Sequence, residues 1–199
     1  DMNGVGPEVL LNSLQNTELL SLCTPVIYGS LKNLNYTANH LGFNISFHKI
    51  NSAEQSQDEK INVIDNFKNP PPISFGTLNK EIGAAAFESI KNGIKDLKED
   101  KIDVLVTPPI NKEAIHSDDF QFMGHTDYIN SEINGSSTMM MVANELRVAL
   151  LTEHIPVSEV TNSITPELVE NKLKALRETL IRDFQIEQPK IAIQTHVTF

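Results

Sequence analysis

The chain has 199 residues, of which 40% are hydrophobic and 21% charged, a balance typical of a folded protein rather than a disordered one. Its formal net charge of -10 disfavours nucleic acids and anionic membranes as partners, although a local basic pocket can still bind an anionic small molecule. The single cysteine, Cys23, cannot form an intrachain disulfide, and no stretch is apolar for long enough to span a bilayer. We therefore expect a cytoplasmic location.

In the first part of the chain, short β-branched runs alternate with longer helical patterns, which predicts an α/β fold. Pro7 suits a first helical turn, because its missing N–H is not needed there. Three successive prolines at residues 70–72 then interrupt any regular structure. Between these prolines and Pro7, the pattern predicts a strand at 26–29, a helix at 31–41 that stops at Gly42, and strands at 44–50 and 61–64.

The remaining elements follow the proline break. A long helix is predicted over about residues 79–97, because apolar side chains recur there on one stripe. Residues 102–107, Ile-Asp-Val-Leu-Val-Thr, form a mainly apolar run, typical of a strand buried on both faces of a parallel sheet. The last predicted elements are strands at 139–142 and 148–152 with a turn at 144–145, a helix at 166–183 and a strand at 190–193.

Two loops are candidates for ligand binding. Residues 4–8, Gly-Val-Gly-Pro-Glu, allow backbone N–H groups to approach an anion, but they equally suit a tight turn that starts a helix. Residues 106–113 follow the predicted buried strand, and ligands of open α/β sheets bind outside the carboxyl ends of strands. Lys112 in this loop either points a positive charge into the crevice or is a solvated lysine at a helix start.

Two further motifs contain histidine. Residues 124–127, Gly-His-Thr-Asp, precede a predicted helix, and His125 and Thr126 beside free helix N–H groups suit a phosphate or polar substrate. The alternative is a helix capped by Thr126, with His125 on the surface. His154 directly follows a predicted strand, and neutral imidazole is a common metal ligand, but one histidine does not make a complete metal site.

Five motifs occur in a fixed order along the chain: Asp-x-x-Gly-Val-Gly-Pro-Glu, Thr-x-Pro-Ile-Asn-Lys-Glu, Gly-His-Thr, Leu-Arg-Val-Ala-Leu-Leu-Thr-x-His-Ile-Pro and Ser-Ile-Thr-Pro-Glu-Leu. From residue 1 to about 193, this series resembles the 4-hydroxythreonine-4-phosphate dehydrogenase family. The resemblance implies a two-lobed α/β fold like that of isocitrate and isopropylmalate dehydrogenases, with a largely parallel sheet and an active site in the interlobe cleft. It also implies a lobe crossover near residues 107–125 and a homodimer with shared active sites.

The resemblance also implies roles for particular residues. In that family three histidines hold a divalent metal, and the first of them matches His154. The pair that contacts substrate matches His125 and Thr126. Lys112 matches the lysine of a Gly-Pro-x-x-Lys loop and is the candidate catalytic lysine, with Pro108 where the family usually has glycine.

Compared with the family, the chain is expected to be incomplete. It begins inside the first motif and ends before the family's second half, which supplies the other metal histidines and much of the cofactor site. His196 is out of register with the second metal histidine and is not assigned as a ligand. The remaining metal and cofactor residues are therefore expected beyond Phe199.

The activity implied by the resemblance is the metal-assisted oxidation of 4-hydroxythreonine-4-phosphate by NAD (or NADP), with Zn, Mg or Co as the divalent metal. The β-keto acid product decarboxylates to 3-amino-2-oxopropyl phosphate, in vitamin B6 biosynthesis. Three alternatives remain open. They are a sister dehydrogenase acting on 4-phosphothreonate, a metal-independent phosphate acyltransferase of related fold, and a non-catalytic domain that binds a phosphorylated ligand.

Overall fold

A computed structural model describes residues 1–65, 67–133 and 137–194 of the chain. The chain divides into two units, Asp1–Ile133 and Asn134–Phe199, which we call the first unit and the second unit. Each unit is described by itself. In the parts of the chain that the structure describes, no helix has both the length and the apolar character that a membrane crossing requires.

The first unit contains a parallel sheet of three strands, in the order β1-β3-β2. These strands are β1 (Val26–Tyr28), β2 (Phe47–Ile50) and β3 (Ile61–Ile64). All four residues of the central strand β3 are buried, as expected for a strand with neighbours on both sides. The parallel α/β arrangement predicted from the sequence is thus confirmed for this part of the chain.

Helices complete the first unit, and two of its three apolar clusters link them. One cluster joins α1 and α3 to the sheet through buried Leu11, Leu34 and Val63. The other joins α4, α5 and α6 through buried residues that include Ile94 and Phe120. The helices described in this unit are α1 (Gly6–Leu14), α2 (Thr17–Leu22), α3 (Leu31–Leu41), α4 (Lys80–Lys98), α5 (Lys112–Ile115) and α6 (His125–Glu132), with a short 3-10 helix at Ala53–Gln55.

The second unit contains an antiparallel strand pair and two helices. The pair runs from Met140↔Ala149 to Ala143↔Leu146, and Asn144 adopts a left-handed φ of 50° in the turn between the strands. The predicted turn is therefore confirmed. The elements of this unit are β4 (Met140–Ala143), β5 (Leu146–Ala149), α7 (Val157–Ser163) and α8 (Pro166–Arg182).

Two predicted strands are wrong. Residues 102–107 are not a strand, and Val104 and Val106, predicted to be buried, are 73% and 83% exposed. Residues 190–193 are not a strand either. The physical reason is the same in both cases, because among the described residues no neighbouring strand provides a hydrogen-bonding partner for these segments. An apolar run becomes a buried strand only when such a partner is present.

Candidate functional site

Asn3 anchors the N-terminal loop to the segment before α4. Its side chain is buried, accepts a hydrogen bond from Ser74 N at 2.9 Å and donates one to the Thr77 carbonyl at 3.1 Å. Its own carbonyl accepts from Gly76 N at 2.9 Å. A buried amide with its hydrogen bonds satisfied holds two backbone segments in a fixed relation. Asn3 was not predicted from the sequence as a site residue. Only its position just before a glycine-rich turn could have indicated this role.

The glycine-rich loop contacts the proline-containing loop. A Cβ built on Gly6 would lie 3.1 Å from Pro108 Cβ and 3.3 Å from the Pro109 carbonyl oxygen. This approach is tighter than a side chain normally allows, so the position favours glycine. The structure therefore brings together the first two motifs that the sequence analysis singled out, although about 100 residues separate them along the chain.

Lys112 and the Gly-His-Thr motif are also neighbours. Lys112 is the first residue of α5, which Asn111 caps by accepting a hydrogen bond from Ala114 N at 2.9 Å. The Lys112 side chain is exposed, and its Cε lies 4.0 Å from the position that a Cβ on Gly124 would occupy. Since Gly124 directly precedes His125, the lysine side chain passes beside the start of α6.

His125 is half-buried at the first position of α6, and Gly124 is the N-cap residue. Burial lowers the pKa of the His125 imidazole. At neutral pH the imidazole is therefore uncharged, with one nitrogen able to donate a hydrogen bond and the other able to accept one.

Thr126 is exposed and lies inside the first turn of α6. The alternative in which Thr126 caps this helix is wrong, because the helix begins one residue earlier and no side chain caps it. The N-terminus of α1 likewise has no side-chain cap.

Free N–H groups at helix N-termini attract anions, and the nearby ammonium group of Lys112 adds a full positive charge. This part of the first unit, formed by residues 4–6, Lys112 and residues 124–126, suits an anion such as a phosphate group; we call it the anion-binding region.

His154 lies in the second unit, beyond the end of β5. Its side chain is exposed, and its backbone adopts a left-handed φ of 57°, which is uncommon for a residue other than glycine. An exposed imidazole is available to a metal as one ligand. Within the described ranges, no three His, Cys, Asp or Glu residues are grouped in a way that would hold a metal ion. His196 lies outside the described residues.

Proteins similar to this chain are dehydrogenases of phosphorylated substrates. A 4-hydroxythreonine-4-phosphate dehydrogenase of Bacteroides thetaiotaomicron is 40% identical over 195 residues, which cover 97% of this chain and 54% of that relative. A D-threonate 4-phosphate dehydrogenase of Cupriavidus necator is 32% identical over 197 residues, which cover 97% of this chain and 59% of that relative. The chain thus spans little more than half the length of these relatives.

A solved structure confirms the fold class. The crystal structure of a 4-hydroxythreonine-4-phosphate dehydrogenase from Burkholderia phymatum matches with a TM-score of 0.85 and 31% identity, over 96% of this chain and 58% of that chain. The chain therefore has the α/β fold of the isocitrate and isopropylmalate dehydrogenase type. A family model described as pyridoxal phosphate biosynthetic protein PdxA matches residues 21–195, and the chain belongs to the PdxA family.

Proposed function

We propose that the gene product is a dehydrogenase that oxidises 4-hydroxythreonine-4-phosphate with NAD or NADP and a divalent metal, Zn, Mg or Co. The observation that carries the proposal is the 40% identity, over 97% of the chain, to a relative named for this activity. The anion-binding region supports it, because a phosphorylated substrate needs positive charge and hydrogen-bond donors at one end. The β-keto acid product would then decarboxylate to 3-amino-2-oxopropyl phosphate.

In this proposal, the anion-binding region holds the phosphorylated substrate. Lys112 supplies a positive charge, and its side chain passes beside Gly124. His125 is uncharged at neutral pH because burial lowers its pKa, so it orients the substrate through hydrogen bonds rather than through charge. Thr126 is exposed and adds a hydroxyl that can donate or accept a hydrogen bond.

His154 is proposed as one ligand of the divalent metal. Its exposed imidazole suits this role, and its left-handed φ of 57° is consistent with a position kept for function rather than for stability. When bound, the metal supplies Lewis acidity toward the alcohol of the substrate, and the nicotinamide supplies the hydride acceptor. Because no group of three His, Cys, Asp or Glu side chains among the described residues could hold the ion, we propose that further ligands come from other parts of the full-length protein. We also propose a cytoplasmic homodimer with shared active sites and a crossover between lobes near residues 107–125, as the family resemblance implies.

A second candidate substrate is D-threonate 4-phosphate. The relative from Cupriavidus necator carries that name and is 32% identical over 97% of the chain. The two substrates differ at C2, which carries an amino group in one and a hydroxyl in the other. A protein group near C2 would therefore discriminate between the two substrates. The anion-binding region would not, because it faces the phosphate in this proposal.

The test is NADH formation by the purified full-length gene product with each of the two substrates, with and without a divalent metal. We expect metal-dependent NADH formation, faster with 4-hydroxythreonine-4-phosphate, and loss of this activity in His154→Ala. Faster turnover of D-threonate 4-phosphate would assign the second substrate. Activity that survives intact in His154→Ala would remove the metal role of that residue. Acyl transfer without added metal, or ligand binding without NADH formation, would contradict the dehydrogenase assignment.

A further inference from the structure

A largely buried lysine of the second unit connects three of its segments. Lys172 lies in α8, and its Nζ donates a hydrogen bond to the Ser137 carbonyl at 2.6 Å. The same Nζ is 3.8 Å from Glu153 Oε1, and the two side chains are only 17% and 22% exposed. Lysine side chains in helices of soluble proteins normally extend into water, so this burial needs a structural reason.

The two partners of Lys172 flank the β4–β5 pair. Ser137 precedes β4, and Leu150 N extends the pairing by donating to the Met139 carbonyl at 3.1 Å. Glu153 lies on the segment that leaves β5. An isolated two-stranded hairpin is only marginally stable in water, so its strands do not by themselves hold this exit segment in one conformation. The Lys172 ammonium group ties both ends of the pair to α8.

Glu153 depends on this contact. Its second carboxylate oxygen, Oε2, is buried and has no hydrogen-bond partner within the described part of the chain. A carboxylate that is mostly removed from water is stabilised only if a cation or donor compensates for the lost hydration. Lys172 is the cation that lies within salt-bridge distance of this carboxylate. Removing the ammonium group would release Glu153 toward solvent.

Glu153 directly precedes His154, so a restraint on Glu153 also restrains the backbone that enters His154. Glu153 is partly buried, whereas the adjacent His154 is exposed and has a left-handed backbone conformation, with φ 57°. A single left-handed residue turns the chain sharply and is maintained only when the surrounding structure holds it. The contact between Lys172 and Glu153 supplies such a restraint one residue before the turn.

We propose that Lys172 is a positioning residue that acts through Glu153 to preset the His154 imidazole for binding a divalent metal. This inference rests on the proposed role of His154 as a metal ligand. Groups that orient a ligand without touching the metal commonly change metal affinity by about 10- to 100-fold when they are removed. The local pattern does not indicate this role, because a lysine inside an amphipathic helix usually belongs to a solvated face.

The test measures the dissociation constant of Co²⁺ for the purified full-length gene product without nicotinamide, together with the melting temperature of the metal-free protein. Lys172→Met is expected to weaken Co²⁺ binding about tenfold. Lys172→Arg is expected to restore most of the affinity, because arginine keeps the positive charge and the donors. The matched control is Lys174→Met on the same helix, which removes an exposed pair with Glu170 at 2.6 Å and is expected to leave Co²⁺ binding unchanged.

A double-mutant cycle tests whether Lys172 acts through Glu153. If it does, Lys172→Met combined with Glu153→Gln weakens Co²⁺ binding no more than Lys172→Met alone. Additive losses from the two substitutions would overturn the proposed path. Lys172→Met and Lys172→Arg could also lose Co²⁺ affinity equally and in proportion to a fall in their melting temperatures. That result would show a general destabilisation of the second unit and would also overturn the proposal.

His154→Ala separates this inference from the proposed function. Loss of Co²⁺ binding in His154→Ala with unchanged binding in Lys172→Met would overturn the positioning role and leave the metal role intact. Unchanged Co²⁺ binding in His154→Ala would show that His154 is not a ligand, and both claims would fail together.

Discussion

Gly83 of α4 meets the backbone of Ala114 in α5. A Cβ built on Gly83 would lie 1.9 Å from the Ala114 carbonyl oxygen and 2.2 Å from the carbonyl carbon. The two helices are therefore in backbone contact at this point, and Lys80 adds hydrogen bonds from its Nζ to the carbonyls of Glu113 and His116 at 2.7 and 3.2 Å. This contact sets the position of α5, which begins at Lys112.

Gly83→Ala is expected to lower the free energy of unfolding by about 3 kcal/mol, although alanine is normally the better residue in a helix by about 1 kcal/mol. The reason is that a backbone carbonyl cannot move aside as a flexible side chain can. The measurement is urea unfolding of the purified protein.

Gly93→Ala in the same helix is the matched control. Its added Cβ would meet Leu105 Cδ1 at 2.8 Å, the far end of a flexible side chain, so we expect a change smaller than about 1 kcal/mol. Equal stability of the two alanine variants would contradict the interpretation of the α4–α5 contact.

Lys112→Met is expected to raise KM for the phosphorylated substrate by about 10- to 100-fold, since a hydrogen bond to a charged group contributes about 1.5–3 kcal/mol. The substitution keeps the aliphatic part of the side chain that passes beside Gly124, so packing there should change little. Steady-state kinetics of the full-length gene product gives KM and kcat separately.

Lys32→Met, at an exposed position of α3, controls for the loss of one positive charge from an acidic protein. A rise in KM that is the same for both variants would point to the overall charge rather than to the anion-binding region. A lower kcat with unchanged KM in Lys112→Met would assign Lys112 to the chemical step instead of to binding.

The pH dependence of stability is expected to reflect His125. Its pKa is lower in the folded protein because of burial. The unfolded chain therefore binds a proton more readily, and stability rises with pH over this interval. The stabilising contribution is complete above the ordinary pKa of about 6.5 and is lost as the pH falls through that value toward the folded pKa.

Urea unfolding of the wild-type protein and of His125→Gln, at several pH values from about 5 to 8, measures this contribution. The difference in unfolding free energy between the two proteins should shrink as the pH falls. A pH-independent difference for His125→Gln would show that burial does not shift the His125 pKa.

Local signals predicted most of the elements. Gly42 ends α3 in a left-handed conformation with φ 72°, and Thr165 caps α8 by accepting a hydrogen bond from Leu168 N at 3.1 Å. Residues 102–107 were predicted wrongly because their apolar pattern does not reveal whether a neighbouring strand is available. Whether an apolar run is buried depends on contacts far away in the sequence.

The candidate site was predictable in its residues but not in its arrangement. The motifs around Lys112 and His125 were found from residue type and order, and the structure brings them together. The contacts that support these motifs were not predictable, because Asn3, Gly83 and Lys172 contact residues that are distant in the sequence. Each of the three has an ordinary local sequence context.

His154→Gly is expected to be more stable than His154→Ala by about 1 kcal/mol, although a glycine variant is usually less stable than the alanine variant at the same position. The left-handed conformation at φ 57° costs a residue with a Cβ roughly 1–2 kcal/mol, whereas glycine adopts it freely. The larger backbone entropy of glycine in the unfolded chain offsets about 0.5–1 kcal/mol of this gain. Urea unfolding of the metal-free protein measures the difference.

If His154 binds the metal, both variants lose metal-dependent NADH formation, even though His154→Gly removes the backbone strain at this position. Serine at the exposed neighbouring position 158 offers a control, since Ser158→Gly and Ser158→Ala lie inside α7, where alanine should be the more stable by about 1 kcal/mol. The same order at position 154 as at position 158 would mean that His154 is not held in the left-handed conformation. The preset direction of its imidazole would then lose its structural basis.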